Sequence, residues 1–278
     1  MPSRRTLLAA PLLALARPAR AAEALAALEA RHGGRLGVAV LDTGSGQRLA
    51  HRAGERFPLT STFKFLAAGR VLARVDRGEE GLDRMVAYTK ADLVTYSPVT
   101  GQQAAMSIGA LCDAAVTFSD NTAGNLLLDS FGGPAGLTAW LRGLGDAVTR
   151  LDRRETALNE ARPGDPRDTT TPTAMLGLMQ VLLLGEALAA ASRAQLAAWL
   201  VGCRTGDRRL RAGVPAGWRV GDKTGSGEIG TANDIGILWP PGRSPILVAA
   251  YSTGSAAPEE ARSAVLAEVG RIAAGLAA

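Results

Sequence analysis

Apolar residues recur along this chain with two periods, and the change of period divides it into three regions. Leu25 and Leu28 lie on one helical face and Gly33-Gly34 follows, which predicts a short helix over residues 23–31. Residues 35–41 and 47–51 read as two strands around Asp42-Thr43-Gly44-Ser45-Gly46, a hairpin by its turn chemistry. From Thr60 the spacing becomes helical and predicts helices over 60–75, 108–116, 122–131, 134–144, 172–184 and 193–201. Pro134 and Pro172 suit a first helical turn, and Ser192 with Gln195 reads as a capping box. Strand-like runs return at 218–224, 234–239 and 246–252, before a last helix from about Pro258.

Strands at both ends with helices between them predict an α/β domain assembled from the two termini, residues 23–58 and 203–278. An all-α domain, residues 59–202, is inserted between them. A site at the junction is the expected place for a ligand.

The first 22 residues follow a different logic. Arg4 and Arg5 precede an apolar stretch from Leu7 to Ala16, and Ala19-Arg20-Ala21-Ala22 closes it. A charged start, a short greasy core and a small-residue cleavage site make an export signal, with Arg4-Arg5 resembling a twin-arginine signal. Pro11 and Pro18 argue against one structural helix there. Four arginines and no acid precede Glu23, so a net charge of +5 falls to +1 once the signal is removed. That near-neutral remainder, without a basic cluster, excludes a nucleic-acid partner. No apolar run reaches the roughly 18–20 residues of a membrane span, so the expected product is an exported, periplasmic or secreted monomer.

Only two cysteines and two histidines are present. His32 and His51 form no HxH or HExxH grouping, so neither a zinc site nor a histidine-based serine triad is expected. They read as surface or strand-edge residues. A general base here has to be a lysine or a carboxylate, and no metal or cofactor is called for.

Three short motifs offer that chemistry. Ser61-Thr62-Phe63-Lys64 puts a hydroxyl and an amine at i and i+3, on one helix face, where free N–H groups favour negative charge. Ser119-Asp120-Asn121 stands between two apolar helices and equally suits a helix cap. Lys223-Thr224-Gly225-Ser226-Gly227 follows a strand and equally suits a turn. The lysine count separates these readings. The chain has three lysines, Lys64, Lys90 and Lys223, against 28 arginines. Arginine does not release its proton in a protein, whereas a crowded lysine does. Two of three lysines fall in the motifs; Lys90 reads as an ordinary surface residue.

In this order and at these distances, Ser61/Lys64, Ser119/Asn121 and Lys223-Thr224-Gly225 resemble the penicilloyl-serine transferase superfamily. The segment Leu151 to Glu160, with Pro163 to Thr170 after it, is similar to the class A serine β-lactamase loop that carries a hydrolytic glutamate. The resemblance implies the serine β-lactamase/DD-peptidase-like fold, an antiparallel sheet flanked by helices from both chain ends plus the helical insert. It implies hydrolysis of the amide bond of penicillins and cephalosporins through an acyl-enzyme on Ser61, released by Glu155-activated water. By the same resemblance Lys64, or Glu155 through a water, takes the serine proton, and Ser119 passes a proton to the lactam nitrogen. Ser61 and Ser226 supply oxyanion-hole N–H groups. Asn121, Lys223, Thr224, Gly225 and Ser226 bind substrate, and Asn159 helps Glu155 hold water. Tyr96 matches a pocket wall and Arg209 a carboxylate-binding arginine. Arg153 and Asp168 match an ion pair closing an Ω loop over 153–168. Glu155-Thr156 lies where the family often has a cis bond.

Two features depart from the pattern. Cys112 stands at one half of a family disulfide, but the partner position holds Ala68, and Cys203 has no counterpart; burial of both thiols is expected. Thr60 and Gly227 stand where some carbapenem-hydrolysing relatives join two cysteines. Two other activities share the serine and lysines: a DD-peptidase acting on cell-wall peptide, and a sensing domain that stays acylated. Neither needs Glu155.

Overall fold

The computed structural model describes residues 9–277, with side chains described from residue 19 onward. Arg4, Arg5 and the start of the apolar stretch lie outside the described residues. Helix α1 (Ala9–His32) begins well before the expected position 23, because the alanine- and leucine-rich segment carries the helical backbone through both prolines. No described helix is long and apolar enough to cross a membrane.

A five-stranded antiparallel sheet forms the frame: β1 (Arg35–Asp42), β2 (Arg48–His51), β7 (Arg219–Gly227), β8 (Thr231–Trp239) and β9 (Ile246–Thr253). Its order, β2-β1-β9-β8-β7, pairs the first strand of the chain with the last. Period-two alternation sends Leu36, Val38 and Val40 to one face, with Leu25 and Leu28 of α1 and Val265, Leu266 and Val269 of α9 (Glu259–Ala274). Ala39, Leu41, Ile235, Ile237 and Tyr251 face the other way, into the core of the helical insert. That core gathers α2 (Phe63–Val75), α3 (Ile108–Thr117), α4 (Asn121–Asp129), α5 (Gly133–Gly143), α6 (Pro172–Leu183) and α7 (Ala190–Val201).

The insert is not wholly helical. It contains a ribbon of β4 (Met85–Ala87) with β5 (Ala105–Ser107), and a second ribbon joins β6 (Thr169–Thr170) to β3 (Phe57–Pro58) just before it. A single helical turn, α8 (Leu210–Gly213), also went unread in the sequence.

The capping box at Ser192 is not formed. Helix α7 begins at Ala190, three residues before the expected start at 193, and Ser192 lies inside it. Asp76, just past the end of α2, accepts from Ala189 N at 2.7 Å and from Ser192 Oγ at 2.5 Å. A carboxylate from a distant helix end thus takes the capping role that a local glutamine was expected to fill.

Candidate active site

The nucleophile candidate sits in a 3-10 turn (Thr60–Thr62) that runs directly into α2. The expected helix over 60–75 is therefore α-helical only from Phe63. The turn is pressed against the outer edge of β7, which is the last strand of the sheet. Gly225 makes that approach possible: a Cβ there would lie 2.1 Å from Thr60 Oγ1 and 3.3 Å from Ser61 N. Asn233 on β8 reaches through to Thr60 Oγ1 (2.9 Å) and Pro58 O (2.8 Å), tying turn to sheet.

One helical turn on, Lys64 is fully buried and its ammonium is surrounded. Nζ donates to Ser61 Oγ (2.9 Å), Ser119 O (2.8 Å) and Asn121 Oδ1 (2.6 Å), and stands 2.9 Å from Glu155 Oε1. Burial pulls its pKa below the ordinary lysine value, against the opposing pull of the Glu155 charge.

Ser119-Asp120-Asn121 serves both purposes the sequence allowed. Asp120 caps α4 through Ala123 N (2.9 Å) and also accepts from the Thr100 backbone and hydroxyl. Capping fixes the loop so that its neighbours reach the cleft. Ser119, held at a φ of +59°, accepts from Lys223 Nζ at 3.0 Å. Asn121 spends its Nδ2 on Thr95 O (2.7 Å), which leaves Oδ1 for Lys64.

The lysine-threonine-glycine motif lies within β7, not after a strand as expected. Strand geometry sends successive side chains to opposite faces, so Lys223 and Thr224 diverge. Lys223 is fully buried between Ser119 Oγ and Thr224 O. Burial is the main reason its pKa is pulled down to about 7, with the Lys64 charge adding to the shift. Thr224 Oγ1 lies 2.5 Å from Thr205 Oγ1. Arg209, buried beside the strand, gives Nη1 to Gly225 O and Asn233 O (2.8 Å each) and Nη2 to Ser226 Oγ (2.7 Å).

Glu155 arrives from the Ω loop with its carboxylate sealed from solvent. Ser61 Oγ donates to its Oε1 at 3.2 Å, and Asn159 Nδ2 to its Oε2 at 2.6 Å. The Glu155-Thr156 peptide bond is cis. Asp168 closes the loop at its neck, accepting from Arg153 Nε (2.6 Å) and from the backbone N–H groups of Asp152 (2.7 Å) and Arg153 (2.9 Å).

These groups surround one cleft of about 340 Å³, walled by Ser61, Tyr96, Ser119, Asn121, Asn159, Arg209, Thr224, Gly225 and Ser226. Lys64, Glu155 and Lys223 are buried beneath its surface. A larger cavity, about 660 Å³, lies beyond the Ω loop between Arg56, Pro163 and Ile229 and holds none of these groups.

Three contributors were missed in the sequence. Asn125, one turn after Asn121 on α4, holds both backbone polar groups of Glu155. Its signal was a second asparagine at i+4 in an otherwise apolar helix. Thr205 and Glu259 also line the cleft and carry no motif. Lys90 is exposed, His51 lies on the edge strand β2 paired with Glu29 at 3.0 Å, and both cysteines are buried and free. Among the described residues, no group of three or more His, Cys, Asp and Glu is placed to hold a metal ion.

Comparison with known proteins places this geometry in a family. The model of the β-lactamase enzyme family matches residues 20–276. The chain is 53% identical to β-lactamase AST-1 of Nocardia asteroides over 249 residues, covering 89% of this chain and 80% of that protein. It is 62% identical to the solved ancestral (GNCA) class A β-lactamase, with a TM-score of 0.90 over 91% of this chain and 98% of the other. It is 60% identical, again with a TM-score of 0.90, to the putative class A enzyme PenP of Rhodopseudomonas palustris, covering 92% and 99%. With the fold shared over about nine-tenths of the chain and a serine, two lysines and a glutamate meeting at one cleft, the chain belongs to the β-lactamase enzyme family and, within it, to the class A serine enzymes.

Proposed function

We propose that the cleft opens the β-lactam ring of penicillins and cephalosporins in two steps with the following division of labour. Ser61 Oγ bonds to the lactam carbonyl carbon while the N–H groups of Ser61 and Ser226 hold the oxyanion. Two bases, Lys64 and Glu155, stand within reach of the serine proton. As the C–N bond breaks, Ser119 passes a proton to the nitrogen, its hydroxyl tuned by the Lys223 ammonium. Thr224 and Ser226, with Lys223 beneath them, receive the substrate carboxylate. Arg209 acts on that group through Ser226, whose hydroxyl it holds. Asn121 takes the side-chain amide, Tyr96 forms the wall and Gly225 lets the strand lie close to the nucleophile.

The second step adds water to the acyl carbonyl, with Glu155 as general base. A positioned base contributes roughly 10²–10⁴-fold, enough to separate turnover from permanent acylation. The observation that carries this reading is the buried Glu155 Oε1, 3.2 Å from Ser61 Oγ and 2.9 Å from Lys64 Nζ. Asn159 Oδ1 supports it: that acceptor is buried at the cleft and has no protein partner, which suits a water hydrogen.

Turnover of this kind confers resistance to β-lactam antibiotics. We read residues 1–22 as an export signal and the remainder as a periplasmic or secreted monomer, divided between 23–58 with 203–278 and the insert 59–202. The test is a chromogenic cephalosporin assay with mass spectrometry on wild type, Ser61→Ala and Glu155→Ala. Rapid turnover by wild type, none by the serine variant and an adduct on the glutamate variant are expected. A stable wild-type adduct with slow turnover would replace this reading with a peptidase or a sensor.

A further inference from the structure

Behind the cleft, two aspartates that the mechanism does not use are wholly buried: Asp222 on β7 and Asp234 on β8. The strand register sets Asp222 opposite Gly236 and Thr224 opposite Asp234. The two carboxylates are therefore diagonal neighbours on one face of adjoining strands, with a glycine leaving room beside Asp222. Each uses a single oxygen. Asp222 Oδ1 accepts from Arg211 Nη2 at 2.5 Å, and Asp234 Oδ2 accepts from Leu210 N at 3.0 Å. The remaining oxygens, Asp222 Oδ2 and Asp234 Oδ1, are buried without a hydrogen-bond partner. Gly206 packs so tightly on Asp222 that a Cβ there would lie 1.5 Å from Oδ2.

Two partnerless acceptors on neighbouring buried carboxyl groups have one economical resolution. We propose that Asp222 and Asp234 share a single proton between Oδ2 and Oδ1, and that the pair tethers the 209–211 segment that positions Ser226. The shared proton leaves one negative charge, which Arg211 balances. The tether runs from Asp234 through Leu210 N to the adjacent Arg209, whose guanidinium holds Gly225 O and Ser226 Oγ. The second half of the proposal rests on Ser226 receiving the substrate carboxylate. The charged and titratable groups around the pair are Lys223 on β7, Tyr251 on β9, Cys203 and Asp207 before α8, and Arg209 and Arg211 at α8. Glu259 and Arg262 of α9 face Arg209. Burial holds both carboxyl groups above the ordinary carboxylate range, and Asp222 pushes Asp234 further.

The sign of the linkage makes this testable. A proton kept by the folded enzyme but lost by the unfolded chain makes stability fall as pH rises above the ordinary carboxylate range. Asp234→Asn supplies an amide hydrogen in place of the shared proton and does not titrate there. Between about pH 5 and 6.5, below the titration of Lys223, the folding constant of wild type relative to Asp234→Asn should fall by up to about tenfold per pH unit. Infrared spectra of wild type should show the C=O stretch of a protonated carboxylic acid, absent from Asp222→Asn and Asp234→Asn. A pH-independent stability difference, or no such band in wild type, overturns proton sharing. For the tether, Asp234→Ala should raise KM for a carboxylate-bearing β-lactam about tenfold while kcat changes less, and Asp234→Asn should restore it. An unchanged KM in a folded Asp234→Ala overturns the tether; if that variant does not fold, a raised KM in Asp234→Asn does. Ser226→Ala isolates the underlying reading, because an unchanged KM there refutes the role of Ser226 and leaves the infrared and pH results to decide proton sharing.

Discussion

Asn125 pins both backbone polar groups of Glu155: its Oδ1 accepts from Glu155 N at 2.9 Å, and its Nδ2 donates to Glu155 O at 3.0 Å. Both residues are buried, so neither backbone group has water as a substitute. Replacing Asn125 with Leu should leave two unsatisfied backbone groups at Glu155, the proposed general base. At about 1–3 kcal/mol for a lost buried partner, deacylation should slow by roughly 10–100-fold. Stopped-flow kinetics would show acyl-enzyme accumulating while acylation changes less; equal slowing of both steps would contradict a role specific to Glu155.

Glu155 and Lys64 divide unequally between the two steps. Either base reaches the serine proton, but Asn159 is hydrogen-bonded to Glu155 alone of the two. Glu155→Ala should therefore still acylate, through Lys64, and then fail to release product. Intact-protein mass spectrometry should find the enzyme modified by the mass of one substrate.

Lys223, pulled down to about 7 by burial, loses its charge in the neutral range. In the proposed mechanism the ammonium attracts the substrate carboxylate and tunes Ser119 below that pH, and above it the attraction fades. The free-enzyme profile of kcat/KM for an anionic β-lactam should fall on the alkaline side with an apparent value near 7. Lys223→Arg, which stays charged, should remove that limb whatever its absolute rate. The same shift makes the lysine costly to fold in its charged form below pH 7. That cost declines as pH rises from about 7 toward the unfolded value near 10.

Asp168 binds one guanidinium and two backbone N–H groups at the neck of the Ω loop and is almost wholly buried. Asp168→Ala should strand Arg153 and both N–H groups, costing about 3 kcal/mol or more. Hydrogen exchange should rise within residues 153–168 first. If protection there is unchanged, the loop is held by other contacts.

Cys112 and Cys203 are buried and free, and burial pushes both thiols up. A thiol reagent should leave the native enzyme unmodified and titrate both groups in denaturant. Fast native labelling would mean the helical core opens readily.

Most of the candidate site was legible in the sequence because the chemistry restricts its residue types. A lysine beside a serine, in a chain that otherwise uses arginine, stands out without any coordinates. The sheet and the longer helices after α1 were equally legible, since their periods persist over enough residues, whereas most of α1 was not. What stayed hidden depends on partners far away in the chain. The ribbon of Phe57–Pro58 with Thr169–Thr170 has two residues on each side, too few for a period. Asp76 caps α7 from more than a hundred positions away, so the local Ser192–Gln195 spacing misled. Asp222 and Asp234 read as strand residues of no special kind until the register made them neighbours.

Lys64, Glu155 and Lys223 are enclosed, while Tyr96 and Glu259 stand at the open rim. If the proposed roles hold, a substitution at Tyr96 or Glu259 should change which substrate fits while leaving the buried charges in place, and one below them should slow every substrate. Selection by new antibiotics therefore has a mechanically independent surface on which to act, and the engine beneath can stay as it is.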